Sequence, residues 1–401
     1  MKSSQKAKIC DICTIRTGKL DSNAAVEGGK YPFFTCAQET FSIDKFAFDT
    51  EAVLLGGNNA NGIFPLKYYQ GKFNAYQRTY IIESKDRNKV LNKFVYFSLR
   101  PVLKYFKSAS IGAATQYLTK PVLDNLKINL PDIETQRSII DIVYIYDDLI
   151  DINQKRIQLL EEAARLLYRE WFVYFRFPGH ENVKIVDGIP EGWEITKIKS
   201  IGEVVTGKTP SKKKPENFDG ETPFIKTPDM HKASIILSTE ETLSEIGTSL
   251  QKNKTLPPWS ILVSCIGSVG VVSMNLYKSQ TNQQINSIIP KNRYFRYYLY
   301  FCLSRMKPLL EAIGGGSTMA NINKSKFENL KIIKPTENLL VEFYKIAKPI
   351  FKEIAVLLEQ NQKLAHARDL LLPRLMSGKI DVSEFDKGSI QVESEVEKIV
   401  N

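Results

Sequence analysis

The sequence is poor in the residues that build metal centres, disulfide frameworks and hydrolytic sites. It has 3 histidines, 5 cysteines and 3 tryptophans in 401 residues. The cysteines (Cys10, Cys13, Cys36, Cys265, Cys302) are odd in number and scattered, which excludes a disulfide scaffold and suits a reducing compartment. Cys10 and Cys13 form one CxxC, but a zinc site needs two more ligands, and His180, His231 and His366 all lie far away in sequence. No apolar run reaches the roughly 18 residues that a membrane-spanning helix requires. Met1 to Lys19 carries Lys2, Lys6, Lys8, Asp11, Arg16 and Lys19 and lacks the apolar core of a secretory signal, so a cytoplasmic protein without a membrane partner is expected.

Catalytic motifs are missing too. HExxH, GxSxG, GxGxxG and the Asn/Asp-Pro-Pro-aromatic tetrapeptide of amino-methyltransferases do not occur. Gly202-Glu203-Val204-Val205-Thr206-Gly207-Lys208-Thr209 formally matches GxxxxGK[ST]. A phosphate-binding loop, however, needs a helix to start at its lysine, and Pro210 and Pro215 oppose one here. Asp147, Asp148 and Asp151 read as a solvated helix face rather than an acid/base set.

What the sequence does have is a surplus of positive charge and a repeat. Lys and Arg number 55 against 44 Asp and Glu, a net charge of +11, within a chain that is 43% hydrophobic and 25% charged. That is a globular composition with a charge balance suited to a polyanion. Thr17-Gly18-Lys19 recurs as Thr206-Gly207-Lys208 at an offset of 189, and Pro32-Phe33 as Pro223-Phe224 at 191. Ala52–Leu55 matches Ser260–Val263, and Gly62 matches Gly270, at 208. Leu126-Lys127-Ile128 with Pro131 matches Leu330-Lys331-Ile332 with Pro335 at 204, and Leu166–Arg169 matches Leu371–Arg374 at 205. The shared order and drifting offset indicate a tandem duplication of a unit of about 200 residues.

Each copy opens with a mixed part. In the first, Ala52–Leu55, Arg78–Glu83 and Leu126–Leu130 read as strands, Asn92–Lys107 as a helix and Gly56–Gly62 as a loop. In the second, Ile195–Lys199, Ile261–Cys265 and Ser287–Pro290 read as strands, Tyr297–Ala312 as a helix and Gly314–Ser317 as a loop.

A long heptad helix follows each mixed part. The first has columns Val143, Ile150, Ile157, Ala164, Trp171 and Ile139, Tyr146, Asn153, Leu160, Leu167, Tyr174. The second has Phe343, Ile350, Leu357, Leu364, Leu371 and Ala347, Ile354, Asn361, Arg368, Leu375. Apolar residues recurring at a and d positions predict a coiled-coil seam, with Asn153 and Asn361 as polar interruptions that can fix register. Pro349 predicts a kink or the true start of the second helix. The expected class is therefore α+β: two tandem mixed α/β domains and two long helices packed as an antiparallel coiled coil.

Two readings of the charge stand side by side. In one, the basic loops contact nucleic acid: Lys208, Thr209, Lys212, Lys213, Lys214 and Lys226 suit phosphate, and Asn282, Gln283, Gln284 and Asn286 suit adenine edges. Lys19, Asn58, Asn59, Asn61 and Arg78 would be their counterparts in the first copy. In the other, the chain is a non-catalytic coiled-coil interaction scaffold with incidental charge.

The combined motifs resemble the DNA-specificity subunits of type I restriction-modification systems. The resemblance rests on Pro190-Glu191-Gly192-Trp193-Glu194, Thr206–Ser211 with Thr222–Ile225, and Leu256–Ser264. It rests also on Leu130–Arg137 leading into Ile150–Ile157, with Leu160–Ala164 and Trp171-Phe172, and on Leu371–Ile380. The first copy departs from it at Tyr31–Cys36 and Gly56–Asn59. The resemblance implies a target recognition domain at 1–132, a central spacer helix at 133–177, a second recognition domain at 178–334, a distal spacer helix at 335–380 and a tail at 381–401. It implies that each domain reads half of a split target in double-stranded DNA. It further implies two methyltransferase subunits using S-adenosylmethionine, and restriction/translocation subunits using ATP and magnesium. This chain would hold no cofactor and catalyse nothing.

Overall fold

The computed structural model describes residues 5–59, 62–103, 105–106, 116–231, 233–315 and 320–382. Its contacts divide the chain into two compact units, Met1–Ile150 with Lys363–Asn401, and Asp151–Gln362. Both borders fall inside long helices, Ile133–Phe172 and Glu337–Met376.

In the first unit, Gln5–Lys8 pairs antiparallel with Lys127–Leu130 and clasps the start of the mixed part to its end. The short helix Ile9–Ile12 leads into a six-stranded sheet. Its order is Cys13–Thr17, Thr79–Ser84, Phe48–Gly56, Leu66–Ala75, Tyr31–Phe34, Phe41–Ile43. Only the pairing of Tyr31–Phe34 with Leu66–Ala75 is parallel. Both faces of Phe48–Gly56 are covered, which is why Ala52–Leu55 reads as one apolar run rather than an alternation. Val53 and Leu55 pack with Phe94, Val95 and Leu99, while Ala52 and Leu54 pack with Phe34, Phe73 and Ile81.

The second unit repeats this plan. Glu194–Lys197 pairs with Lys331–Lys334, and the helix Ile198–Ile201 follows. The five-stranded sheet runs Gly202–Thr206, Ile285–Pro290, Ile261–Ser264, Val272–Asn275, Ile235–Ile236, with the last pair parallel. A three-stranded sheet holds Thr242–Leu243, Phe218–Ile225 and Gln280–Thr281.

Individual hydrogen bonds recur at the offsets of the sequence repeat. Ile9 N donates to Leu126 O, and Ile198 N donates to Leu330 O. Leu118 N donates to Gly57 O, and Ile322 N donates to Cys265 O. Duplication is therefore a property of the backbone as well as of the letters.

Prolines revise two boundaries. The helix expected over Asn92–Lys107 runs over Asn92–Leu99 and tightens to a 3₁₀ turn at Arg100–Val102, around Pro101; Lys107 lies outside the described residues. The helix expected over Tyr297–Ala312 is two, Arg296–Arg305 and Lys307–Gly314, because Pro308 has no N–H and its ring crowds the preceding turn. Pro349, by contrast, does not mark the start of the second long helix, which begins at Glu337 and runs through it. Pro349 is exposed, so water can take the carbonyl its missing N–H leaves open. The strand expected over Ile195–Lys199 stops at Lys197, where Ile198–Ile201 turns helical.

The lead-in to the central helix has a visible job. Asp132 caps it, its Oδ1 accepting from Thr135 N at 2.9 Å. Gln136 is fully buried, donates to Lys89 O at 2.8 Å and Pro131 O at 2.9 Å, and accepts from Leu91 N at 3.0 Å.

The predicted seam residues face inward. Val143, Ile157, Ala164, Trp171, Ile354 and Leu357 are buried, as is Asn153, and Tyr146, Ile150, Leu160, Leu167, Ile350, Asn361, Leu364 and Leu371 are half-buried. Tyr174 lies beyond the helix end and is exposed. Within the second unit the helices run antiparallel: Phe172 stacks edge-on to Phe343, Arg156 pairs with Glu353 at 2.9 Å, and Asn153 Nδ2 donates to Asn361 Oδ1 at 2.9 Å. Arg156 and Glu353 are both more than a third exposed, so their pairing contributes at most about 1 kcal/mol. Within the first unit Val143 packs in one cluster with Leu372 and Leu375, and Asp147 pairs with Arg368. Among the described residues no helix is long and apolar enough to cross a membrane.

Candidate nucleic-acid interface

The Thr-Gly-Lys repeat lies at the same corner of each unit. Gly18 ends the strand Cys13–Thr17, and a Cβ on it would sit 1.9 Å from the Ala75 carbonyl oxygen. Gly207 ends Gly202–Thr206, and a Cβ there would sit 2.1 Å from the Asn282 carbonyl oxygen. No side chain fits at either position, so glycine lets the lysine-bearing end of the first strand pass beside a second backbone segment. That segment is itself equivalent in the two units. Ala75 is the parallel register partner of Phe34, and Thr281 that of Ile225. Tyr76 N donates to Phe34 O, and Asn282 N to Ile225 O. Gly57 N donates to Arg78 O, and Cys265 N to Gln284 O. The turn Tyr76-Gln77-Arg78 therefore matches Asn282-Gln283-Gln284.

In the first unit Lys19, Gln77 and Arg78 are exposed. The Arg78 guanidinium lies over the Tyr117 ring, 5.1 Å from its centroid. Tyr117 is held by pairing with Asn58, and Gln116 by pairing with Asn59. Gln77 Nε2 is tied to Asp21 Oδ1 at 2.6 Å. Asn59 Oδ1 accepts from Ile63 N at 3.3 Å, and Asn58 Oδ1 is buried with no hydrogen-bond partner among the described residues. Asn61 lies outside the described residues.

In the second unit Lys208, Lys212, Lys213, Lys214 and Gln283 are exposed. Lys208 opens no helix: Lys208 N donates to Thr281 O at 2.9 Å, and the next helical turn is a 3₁₀ turn at Pro215–Asn217. The formal phosphate-loop match is thus a strand end and a loop. Lys226 and Lys212 both pair with Glu241, the latter at 3.5 Å, and the Lys226 hydrogen bond holds the Glu241 carboxyl below its usual range. Lys208, Lys213 and Lys214 have no carboxylate partner among the described residues.

The amides of this loop divide by direction. Asn286 is buried, with Oδ1 accepting from Thr206 Oγ1 at 2.6 Å and Nδ2 donating to Ile322 O at 3.2 Å. Asn282 is buried and donates to Gln284 Oε1 at 2.9 Å. Gln284 Oε1 also accepts from Thr227 Oγ1 at 3.4 Å. These three side chains build the turn. Gln283 points outward, its Oε1 accepting from Thr209 Oγ1 at 2.6 Å. Sequence reading passed over Gln77 and Tyr117. Alignment of the two turns at the intermediate offset of 206 finds Gln77, whereas Tyr117 aligns with Asn321 and carries no local signal.

Burial pushes the Cys13 thiol up to about 12, and among the described residues no three or more His, Cys, Asp or Glu are placed to hold a metal ion.

The chain is similar to known DNA specificity subunits. The model of the type I restriction modification DNA specificity domain matches residues 1–162 and again 190–365. The type I restriction enzyme HindI specificity subunit of Haemophilus influenzae is 33% identical, over 75% of this chain and 80% of that protein. The MjaIX specificity subunit of Methanocaldococcus jannaschii is 26% identical, over 75% and 71%. The S subunit of a type I restriction-modification system from M. genitalium shares the fold, with a TM-score of 0.59 and 14% identity over 93% of this chain and 96% of that one. With both of its repeats matched by the same domain model, the chain belongs to the type I restriction-modification DNA specificity family.

Proposed function

We propose that this chain selects the DNA sequence on which a type I restriction-modification complex acts. Each unit contacts one half of a bipartite duplex target. The observation that carries this reading is the recurrence, in two copies of one fold, of an exposed lysine beside a turn that carries an exposed polar side chain. In the first unit the contact set is Lys19, Asn58, Asn59 and Arg78. In the second it is Lys208, Thr209, Lys212, Lys213, Lys214, Lys226 and Gln283 of the turn, with Asn282, Gln284 and Asn286 supporting the turn from beneath. Lysines hold phosphates and fix register, while the turn side chains reach base edges.

Chemistry resides on partners in this reading. Two methyltransferase subunits supply S-adenosylmethionine-dependent methylation of an extruded adenine, and restriction/translocation subunits supply ATP- and magnesium-dependent work. The long helices dock those partners and set the spacing between half-sites.

Mapping methyladenine across the genome of a host with and without this chain tests the proposal. The expected result is that one bipartite motif loses its methylation when the chain is deleted. An unchanged methylome overturns the reading. DNA affinity that is flat in salt favours the interaction scaffold instead, because each phosphate contact contributes about 0.9 to the log–log salt slope.

A further inference from the structure

The matched turns differ in the one property that chooses a base. In the first unit the outward side chain is Arg78, braced on Tyr117, while its neighbour Gln77 is tied down by Asp21. In the second unit the outward side chain is Gln283, while its neighbour Gln284 is turned inward by Asn282 and Thr227. Position 321, the counterpart of Tyr117, is Asn321, so no aromatic shelf exists there.

An arginine presents two parallel donors, which match the O6 and N7 acceptors of guanine. Stacking on an aromatic ring removes much of the rotamer freedom such a contact would otherwise cost. A glutamine presents one acceptor and one donor, which match N6 and N7 of adenine. Thr209 occupies only one of the two lone pairs on Gln283 Oε1 and so orients the amide without consuming it.

We infer that Arg78, braced by Tyr117, specifies a guanine in the half-site of the first unit, and that Gln283, oriented by Thr209, specifies an adenine in the half-site of the second. Arg78 and Gln283 are specificity residues, and Tyr117 and Thr209 position them. The inference rests on the DNA-reading function proposed above.

Genome-wide methyladenine mapping with Arg78→Gln and Gln283→Arg in the otherwise intact chain tests it. Both positions are exposed, so the replacements leave the cores untouched. With Arg78→Gln, preference for guanine at one position of one half-site falls by about 10- to 100-fold, and the other half-site is unchanged. With Gln283→Arg, the altered position lies in the opposite half-site. Tyr117→Ala weakens the same guanine preference as Arg78→Gln, at the same position. A wild-type motif that neither replacement alters, or that both alter in the same half, overturns the inference while leaving the DNA-reading function intact. A wild type whose deletion leaves the methylome unchanged overturns that function itself. A uniform fall in methylation with no change of motif assigns Arg78 to phosphate contact and overturns its role in specificity.

Discussion

The same heptad stripe is packed in two different ways along the long helices. In the second unit the seam is closed by rings. Phe343 is fully buried, 4.9 Å from Phe172 and 5.9 Å from Trp171 between ring centroids, with Ala164 and Ala347 fully buried nearby in the same cluster. In the first unit the corresponding stretch carries charge. Asp147 pairs with Arg368 and lies 3.1 Å from Arg100, beside Val143, Leu372 and Leu375. A heptad pattern says which face turns inward, but it does not say what holds that face. The aromatic half gains from burial that needs no exact geometry, whereas the ionic half offsets desolvation only while all three charged groups keep their places.

The strongest way to separate the halves is to remove the central ring. Phe343→Ala should cost the second unit about 3–5 kcal/mol. A two-unit chain need not unfold in one step, so amide hydrogen exchange resolved by segment is the appropriate measurement. Protection should fall across 151–172 and 337–362 and hold across 133–150. Equal losses in both segments would mean that the two halves share one seam energetically and that the contrast is only visual.

A smaller effect is expected from the ionic half. Asp147→Ala leaves Arg368 and Arg100 without their shared carboxylate in a site where all three side chains are less than a third exposed. The loss should be about 2–3 kcal/mol, read as reduced protection across 133–150 and 363–376. Asp147→Leu combined with Arg368→Leu should cost less than Asp147→Ala, because no charge of that pair is then stranded. If the double replacement is the worse of the two, the ion pair stabilises the unit outright and the two halves are more alike than their chemistry suggests.

How legible these features were depends on where the fold constrains residue type. The duplication was readable because the clasping segments Leu126–Ile128 and Leu330–Ile332, and the glycines at 18 and 207, tolerate little else. The strand Leu66–Ala75 was not readable. It pairs with eight residues of Phe48–Gly56, yet Lys67, Gln70, Gly71 and Lys72 break any apolar alternation because this stretch is only partly covered. At the candidate interface, composition marked Thr281–Asn286 as rich in amides. Which amides face inward is set by hydrogen bonds to Thr206, Thr227 and Ile322, residues distant in sequence. The Arg78–Tyr117 stack was invisible for the same reason, since its partners are brought together only by the pairing of Asn58 with Tyr117.

The smallest expected effect concerns the asparagines that interrupt the otherwise apolar half. Asn153 donates to Asn361 at 2.9 Å within the seam, and Asn153 is buried. Asn153→Leu removes the donor and leaves an amide on Asn361 facing an apolar neighbour, which should cost about 1–2 kcal/mol. Asn153→Leu with Asn361→Leu removes both polar groups and should be near neutral or stabilising. Stability is then the wrong readout for the pair, and uniqueness of register is the right one. In an apolar stripe of leucine-sized residues, sliding one helix by a heptad preserves most contacts, whereas the Asn–Asn bond exists in one register only. The aromatic cluster around Phe343 also marks a single register, because Trp171 and Phe172 have no second bulky partner one heptad away on the distal helix, where Ile350 stands. If the double variant retains one sharp exchange profile in the second unit, the rings suffice to fix register and the asparagines are redundant. If it shows two exchanging populations, the rings supply energy and the asparagines supply alignment.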